Sequence, residues 1–332
     1  MRYLLRRIGF YMVALWASVS LNFVIPRLMP GDPAEAFLAR LQGAHPITNQ
    51  QLEALRAEFG VSTTTPVWQQ YFTYLNNLLH GDLGLSSTNY PDNTWTIIAQ
   101  HLPWTIALVG LAVIISFILG TVIGIVIAWR RGTWLDTLVP SLLTFFSAIP
   151  YFWMALALLY IFSFRLNLFP LGDGYDATSG IVPGLSTDFA WSVVQHGILP
   201  AITLVIGSIA GWVLTMRNAM ITTLSEDYVL MALAKGLTER RVMFQYAARN
   251  AILPSITAFS MSLGLVVGGS ILTEIVFNYP GIGYILYTAV QGYDYSLIEG
   301  CFLVIALTVL AANFFSELLY TFLDPRVRHG RG

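Results

Sequence analysis

Long apolar stretches, several of them without charge, alternate along this chain with segments that hold most of its polar residues. Six stretches are long enough to cross a membrane as helices: 8–29, 104–129, 137–164, 189–216, 250–275 and 297–322. A hydrocarbon slab about 30 Å thick takes roughly 20 helical residues. Each stretch is expected to be helical, because a lone strand in lipid leaves its backbone N–H and C=O groups unpaired. Between the first two lies a polar insert, 30–103. It holds a polar helix candidate at 48–59, an aromatic amphipathic stretch at 67–79, and the turn-rich HGDLGLSSTNYPDN, where Gly81, Gly84 and Pro91 forbid a continuous helix. Two readings of the insert stand side by side: a small lid or docking platform, or aromatic side chains resting at the membrane interface. The segments 165–188 and 278–296, rich in Gly, Pro and Asp, read as further loops.

Composition agrees with a membrane protein. Hydrophobic residues make up 56% of the 332 and charged residues only 11%, an excess that a water-soluble core of this length does not need. Charge then sets the orientation, since Lys and Arg are held on the cytoplasmic side. Arg2, Arg6 and Arg7 place the N-terminus inside. Alternation from there puts Arg130, Arg131, Arg217, Lys235, Arg240, Arg241, Arg249, Arg326, Arg328 and Arg331 inside, and leaves only Arg27, Arg40, Arg56 and Arg165 outside. An even number of spans returns the C-terminus to the cytoplasm. The first segment, with Ser18 and Ser20 as small residues, has the outline of a signal peptide. Its removal would leave five spans and break the charge alternation, so it is expected to remain as a span.

The chemistry is largely excluded. A phosphate-binding loop needs glycines around a lysine followed by Ser or Thr, and the sole lysine, Lys235, is followed by Gly236 and Leu237. There is no zinc-protease motif, no nucleophile elbow and no metal-spaced cysteine pair. Cys301 is the only cysteine and reads as a small apolar filler, and the five histidines, His45, His80, His101, His196 and His329, lie at loops or span ends. No catalytic residue, metal site or cofactor site is expected, and no nucleic-acid partner. Glu274, Glu299 and Glu317 lie within or near apolar segments. Either they snorkel to the interface from span ends, or they line a polar pathway. Gly264, Gly268 and Gly269 read as close helix packing or as room for a moving substrate.

The segment 224–254 is the one charged, structured interruption, and it reads as two short helices. Ser225 is the expected N-cap of the first, with Glu226 and Asp227 in its first turn and Gly236 as its stop. Thr238 caps the second, which carries Arg240, Arg241 and Arg249, and Pro254 opens the next span. Small residues at Ala232, Ala234 and Gly236 would let a partner approach the backbone closely. Read plainly, it is a surface hairpin.

The strings AxAKGL at 232–237 and AxRNAxxP at 247–254 resemble the cytoplasmic EAA loop of permease subunits from ATP-binding-cassette importers, in the form of the dipeptide and oligopeptide branch. The glutamate and first alanine that name the motif are here Leu230 and Met231. The resemblance runs along the chain through PGDPA at 30–34, GDLG at 81–84, LPWTIAL at 102–108, RRGTWLD at 130–136, SAIPYFW at 147–153, LTEIVFNYPGIG at 272–283 and LDPRVR at 323–328. Glu299 stands where the family more often shows Gln, and Glu317 where Asp is common.

That resemblance implies an all-α membrane protein of the type I importer permease fold, with six spans, both termini cytoplasmic, in the plasma (inner) membrane of a bacterium or archaeon. It implies a first span in 1–29, an external insert in 30–103, and a permease core in 104–332 with coupling segment 224–254. It further implies a second related permease subunit, two cytoplasmic ATPases holding ATP and Mg²⁺, and an external substrate-binding protein, all around membrane lipid. Coupling is expected at Ala232, Ala234, Lys235, Gly236, Arg240, Arg241, Arg249 and Asn250; the last two could instead hold the loop against the membrane helices. Glu274 and Glu299 are the candidate pathway residues. Peptides are the expected cargo, with oligosaccharides or nickel chelates as the branch's alternatives. An ion-coupled carrier would need midplane carboxylates and an internal inverted repeat, and neither is visible.

Overall fold

The computed structural model describes residues 2–40, 48–266, 268 and 271–323, and their side chains except at 2–5, 264–265 and 316–323. His45, His329, Gly269, the cluster Arg326, Arg328 and Arg331, and the side chains of Arg2 and Glu317 lie outside that description. The helices are α1 Arg2–Arg27, α2 Pro33–Arg40, α3 Asn49–Glu58, α4 Val67–Leu79, α5 Thr94–Trp129, α6 Trp134–Ser147, α7 Tyr151–Leu158, α8 Thr187–Leu224, α9 Asp227–Ala234, α10 Glu239–Arg241, α11 Arg249–Ala251, α12 Leu253–Leu265, α13 Ile271–Val276, α14 Ile282–Gln291 and α15 Tyr295–Leu323. Wider π-helical turns follow α7 at Leu159–Arg165 and join α10 to α11 at Val242–Ala248. Among the described residues the β-structure amounts to one isolated antiparallel bridge between Leu85 and Asn93.

Four helices are long and apolar enough to cross a membrane, those in 6–27, 94–129, 187–224 and 295–315. The third expected span differs from the expectation. It is two helices, α6 and α7, meeting at 93°. Pro150 sits at the break: it lacks an N–H and pushes its predecessor Ile149 out of helical geometry. The fifth expected span, 250–275, contains the end of α11, then α12 with 13 residues or about 20 Å of rise, and α13 from Ile271.

The chain divides into two compact units. The first comprises Met1–Thr105, Val267–Ile271 and Pro280–Ala311. Its core joins Ile97 and Ile98 to Ile282, Ile285, Leu286 and Ala289 of α14 and to Leu297, Ile298, Cys301 and Val304 of α15. Asp294 caps α15 through the Leu297 amide at 3.1 Å and also accepts from the Thr88 amide and hydroxyl at 2.9 and 2.7 Å, so one carboxylate fixes a helix start and the loop before α5. The insert is organised here. Thr48 and Gln51 form a capping box at α3, and Arg56 grips Asp32 at 2.6 Å, Glu53 at 2.7 Å and Glu35 at 3.0 Å.

The second unit comprises Ile106–Val266, Leu272–Tyr279 and Ala312–Gly332. Here α5 and α8 come close enough that an added Cβ at Gly120 would stand 2.4 Å from Trp212 Cβ, and one at Gly124 2.8 Å from Met216 Cβ. The four-residue spacing of these glycines opens one face of α5 to a neighbouring backbone. Asp136 of α6 accepts from Arg217 of α8 at 2.6 Å. α8 is 38 residues long, about 57 Å, well beyond what a bilayer needs, so its surplus carries Met216 and Met220 out under the loop that follows.

Candidate functional site

The segment after α8 is a helical hairpin fixed from below. Ser225 is not the N-cap of α9. It closes α8, its hydroxyl donating to the Thr222 carbonyl at 2.7 Å, and Glu226 takes the N-cap position without a side-chain cap bond. α9 then ends as the glycine predicts. The Gly236 amide donates to Leu233 at 2.9 Å and the Leu237 amide reaches back to Ala232 at 3.4 Å, the two bonds of a Schellman turn, with Gly236 at φ 73°. Nothing lies within 4 Å of where a Gly236 Cβ would be, so its constraint is backbone conformation and not space. Thr238 occupies the next N-cap position, again without a side-chain bond, and Pro254 falls in the first turn of α12.

Beneath the hairpin lies a buried cluster of Ile125, Ala128, Met216, Met220, Val229, Ala232, Val242, Ala247, Ala248 and Ala251. Val229 and Ala232, one helical turn apart, are thus the inward face of α9. Ala232 was expected to face a partner, and this corrects it: at 3% exposure its methyl packs α9 onto the chain's own core. Ala234, Lys235 and Gly236 are exposed at the tip, as are Arg240, Arg241, Arg249 and Asn250. Arg241 donates to Gln245 at 3.1 Å. Asn250 donates to the Tyr228 hydroxyl at 2.8 Å and so clips the second helix to the first.

The outward face holds residues the sequence reading missed. Leu230 (52%), Met231 (57%) and Leu233 (42%) on α9, and Phe244 (39%) on the Val242–Ala248 segment, present apolar side chains away from the core. The signal was available: once Val229 and Ala232 are assigned inward, helical geometry puts these residues outward. An apolar face on a rigid, polar-flanked hairpin fits a protein partner.

Glu274 and Glu299 do not snorkel. Glu274 is fully buried in protein, and Glu299 is 9% exposed. In the first unit, Glu299 accepts from Arg27 at 2.6 Å, and Arg27 also donates to the carbonyls of Phe23 at 2.7 Å and Gly60 at 3.0 Å while lying over the Phe23 ring. This pair floors a cleft of about 450 Å³ walled by Gln70, Thr73, Tyr74, Asn77 and Tyr295. Burial, and after it the charge of Glu299, pushes the Tyr74 phenol well above its ordinary range, so the hydroxyl stays neutral. Among the described residues no group of His, Cys, Asp and Glu is arranged to hold a metal ion.

Helices long and apolar enough to cross a membrane several times make this a membrane protein. Residues 120–329 match the family of binding-protein-dependent transport system inner membrane components, and the chain belongs to it. It is a multi-pass membrane protein and the permease subunit of an ATP-binding-cassette importer, of the type I permease fold. It is 33% identical over 340 residues to the di/tripeptide transport system permease protein of Pseudomonas aeruginosa and 34% identical over 345 residues to the dipeptide transport system permease protein of Escherichia coli, each alignment covering 99% of both chains. A Brucella suis relative is 36% identical over 329 residues, again across 99% of each.

Proposed function

We propose that this permease carries peptides inward as half of a translocation pathway, paired with a second related permease, fed by an external binding protein and driven by two cytoplasmic ATPases that hold the ATP and Mg²⁺. The carrying observation is the outward apolar face of α9 and Phe244, fixed by the cluster below it. Closure of the ATPases presses on this face. Because α9 is packed on Met216 and Met220 at the end of α8, that displacement passes to a spanning helix without an intervening flexible loop. Ala234, Lys235, Gly236, Arg240, Arg241 and Arg249 form the polar and small-residue rim of the contact. Asn250, bound to Tyr228, keeps the hairpin closed, and Ala232 serves from below.

The layout that supports this reading is a first span in 1–29, an external insert in 30–103 and a permease core in 104–332 with its coupling segment at 224–254. Both termini are cytoplasmic and six segments cross, the bent α6–α7 pair counting as one. The basic residues near the hairpin favour that orientation. Glu299, which opens on the cleft, and Glu274, buried in the second unit, are the acids placed along the pathway. Peptide cargo rests on the named roles of the Pseudomonas and Escherichia relatives.

The test is reconstitution. Uptake of a labelled dipeptide into vesicles should require the second permease, both ATPases, the binding protein and ATP. Met231→Glu with Leu233→Glu should leave membrane insertion intact and abolish uptake together with association of the ATPases. Uptake by this chain alone, driven by a proton gradient, would overturn the proposal.

A further inference from the structure

The insert's fourth helix has three distinct faces. Tyr71 and Tyr74 form the packed face: the Tyr71 hydroxyl is 2.7 Å from Ser20 Oγ, and the Phe23 ring of α1 stands 5.2 Å from Tyr71 and 5.5 Å from Tyr74. Gln70, Thr73 and Asn77 form a polar face on the cleft. Trp68, Phe72, Leu75 and Leu79 recur at helical spacing as a third face, with Trp68 65%, Phe72 62% and Leu79 86% exposed. No charged residue occurs anywhere in α4.

The partners on α1 fix the depth of this helix. α1 is long and apolar enough over Arg6–Arg27 to cross a membrane, and a closing arginine marks the interfacial end of such a helix. Ser20 and Phe23 precede Arg27 by seven and four residues, which places them about 10 and 6 Å inward along the helix axis. A helix held against those residues lies at the level of the acyl chains' outer ends and not above the headgroups. The order of faces around the α1–α4 seam gives the direction. The cleft edge of α4 is on the side of Glu299 and Tyr295 in α15. The Trp68–Phe72–Leu79 stripe is on the other side of the seam, where α1 exposes Leu21, Val24 and Leu28 to the surroundings. The stripe therefore continues the apolar flank of a spanning helix.

We infer that α4 is an interfacial membrane helix: the bilayer itself is the ligand of the Trp68–Phe72–Leu75–Leu79 stripe, which lies buried among lipid acyl chains beside α1, while the polar face of the same helix lines the external cleft. The uncharged composition, an indole and a phenyl ring on the buried face and amides on the other are what an in-plane helix at this depth requires. The insert is accordingly a structure tethered to the membrane along one edge, and the floor of its cleft, Arg27 with Glu299, sits at a height set by that tether. This inference needs only the chain's place in a membrane and is independent of cargo.

The experiment uses the full chain in phospholipid nanodiscs. Cys301 is fully buried, so a thiol introduced at the surface is the reactive one. Spin labels at Phe72→Cys and Leu79→Cys should collide severalfold more with dissolved oxygen than with a water-soluble nickel complex, and labels at Thr73→Cys and Asn76→Cys should show the reverse preference. Brominated lipid should quench part of the native tryptophan emission, and Trp68→Phe should lower the quenched fraction by the share of that one indole, a readout that needs no cysteine variant. Nickel access at Phe72→Cys equal to that at Asn76→Cys would place the stripe in water and overturn the inference. Low access to both reagents would place it against protein and overturn it equally.

Discussion

Arg27 and Glu299 are 272 residues apart in sequence and 2.6 Å apart in space. The pair joins the C-terminal end of α1 to the second turn of α15, and the guanidinium extends the tie to the insert through the Gly60 carbonyl. With side-chain exposures of 17% and 11%, neither charge has water to fall back on.

Removing one partner alone should therefore cost more than removing both. Arg27→Met leaves a buried carboxylate without its cation and is expected to destabilise the chain by about 3–5 kcal/mol. The double variant Arg27→Met with Glu299→Leu should recover most of that loss. Thermal unfolding in one detergent, arranged as a double-mutant cycle, measures the coupling; additive losses would show that the pair contributes nothing as a pair.

Gly236 should tolerate substitution according to backbone preference, not size. At φ 73° with open space around its Cβ position, Gly236→Asn should retain transport, Gly236→Ala should cost about 1 kcal/mol locally, and Gly236→Glu should insert normally yet uncouple ATP hydrolysis from uptake. Uptake and hydrolysis rates in reconstituted vesicles decide it. Wild-type transport by Gly236→Glu would contradict the assigned contact.

Gly120 and Gly124 should behave in the opposite way, because the obstacle there is a neighbouring helix. Gly124→Leu forces α5 away from Val213 and Met216 and is expected to cost about 1–3 kcal/mol or more, with loss of monodisperse protein on size exclusion. Gly9→Leu, where nothing lies within 4 Å, is the matched control and should leave the elution profile unchanged.

The insert should loosen in acid. Thr63 and then Arg56 hold the Glu53 carboxyl below its ordinary value of 4.5. A carboxyl depressed in the folded state lends its stability above the unfolded value and loses it as pH falls through the folded one. Protease resistance of the α3–α4 region should thus be full near neutral pH and decline below about pH 4.5. Glu53→Gln should start lower and show a weaker decline over the same window.

Local signals carried the reading well where they were strong. The polar stretch 48–59 and the aromatic amphipathic pattern of 67–79 gave α3 and α4 from sequence, and Gly236 marked the end of α9. Failures came where the deciding partner is distant. Nothing near Glu299 in sequence announces Arg27, so the sequence leaves interfacial solvation and a polar pathway both open for a residue that is buried and paired. Ala232 looked like a contact residue because small side chains suit an approaching partner and a core equally well, and only the cluster around Met216 and Val242 separates the two. α14 went unread although Ile282, Ile285, Leu286 and Ala289 carry a helical period, because Pro280, Gly281 and Gly292 drew attention to turns. The 93° bend was signalled by Pro150, but a proline inside an apolar run also occurs in uninterrupted helices, as Pro103 and Pro200 do here.

The length of α8 has its own mechanical consequence. Gly120 and Gly124, where α5 touches α8 most closely beside Trp212 and Met216, divide the helix into a long arm of about 40 Å toward Thr187 and a short one toward Leu224. Under the proposed coupling, a tilt of about 5° around that contact would move Thr187 by roughly 3.5 Å and the end beneath α9 by less, so the short arm drives the long one.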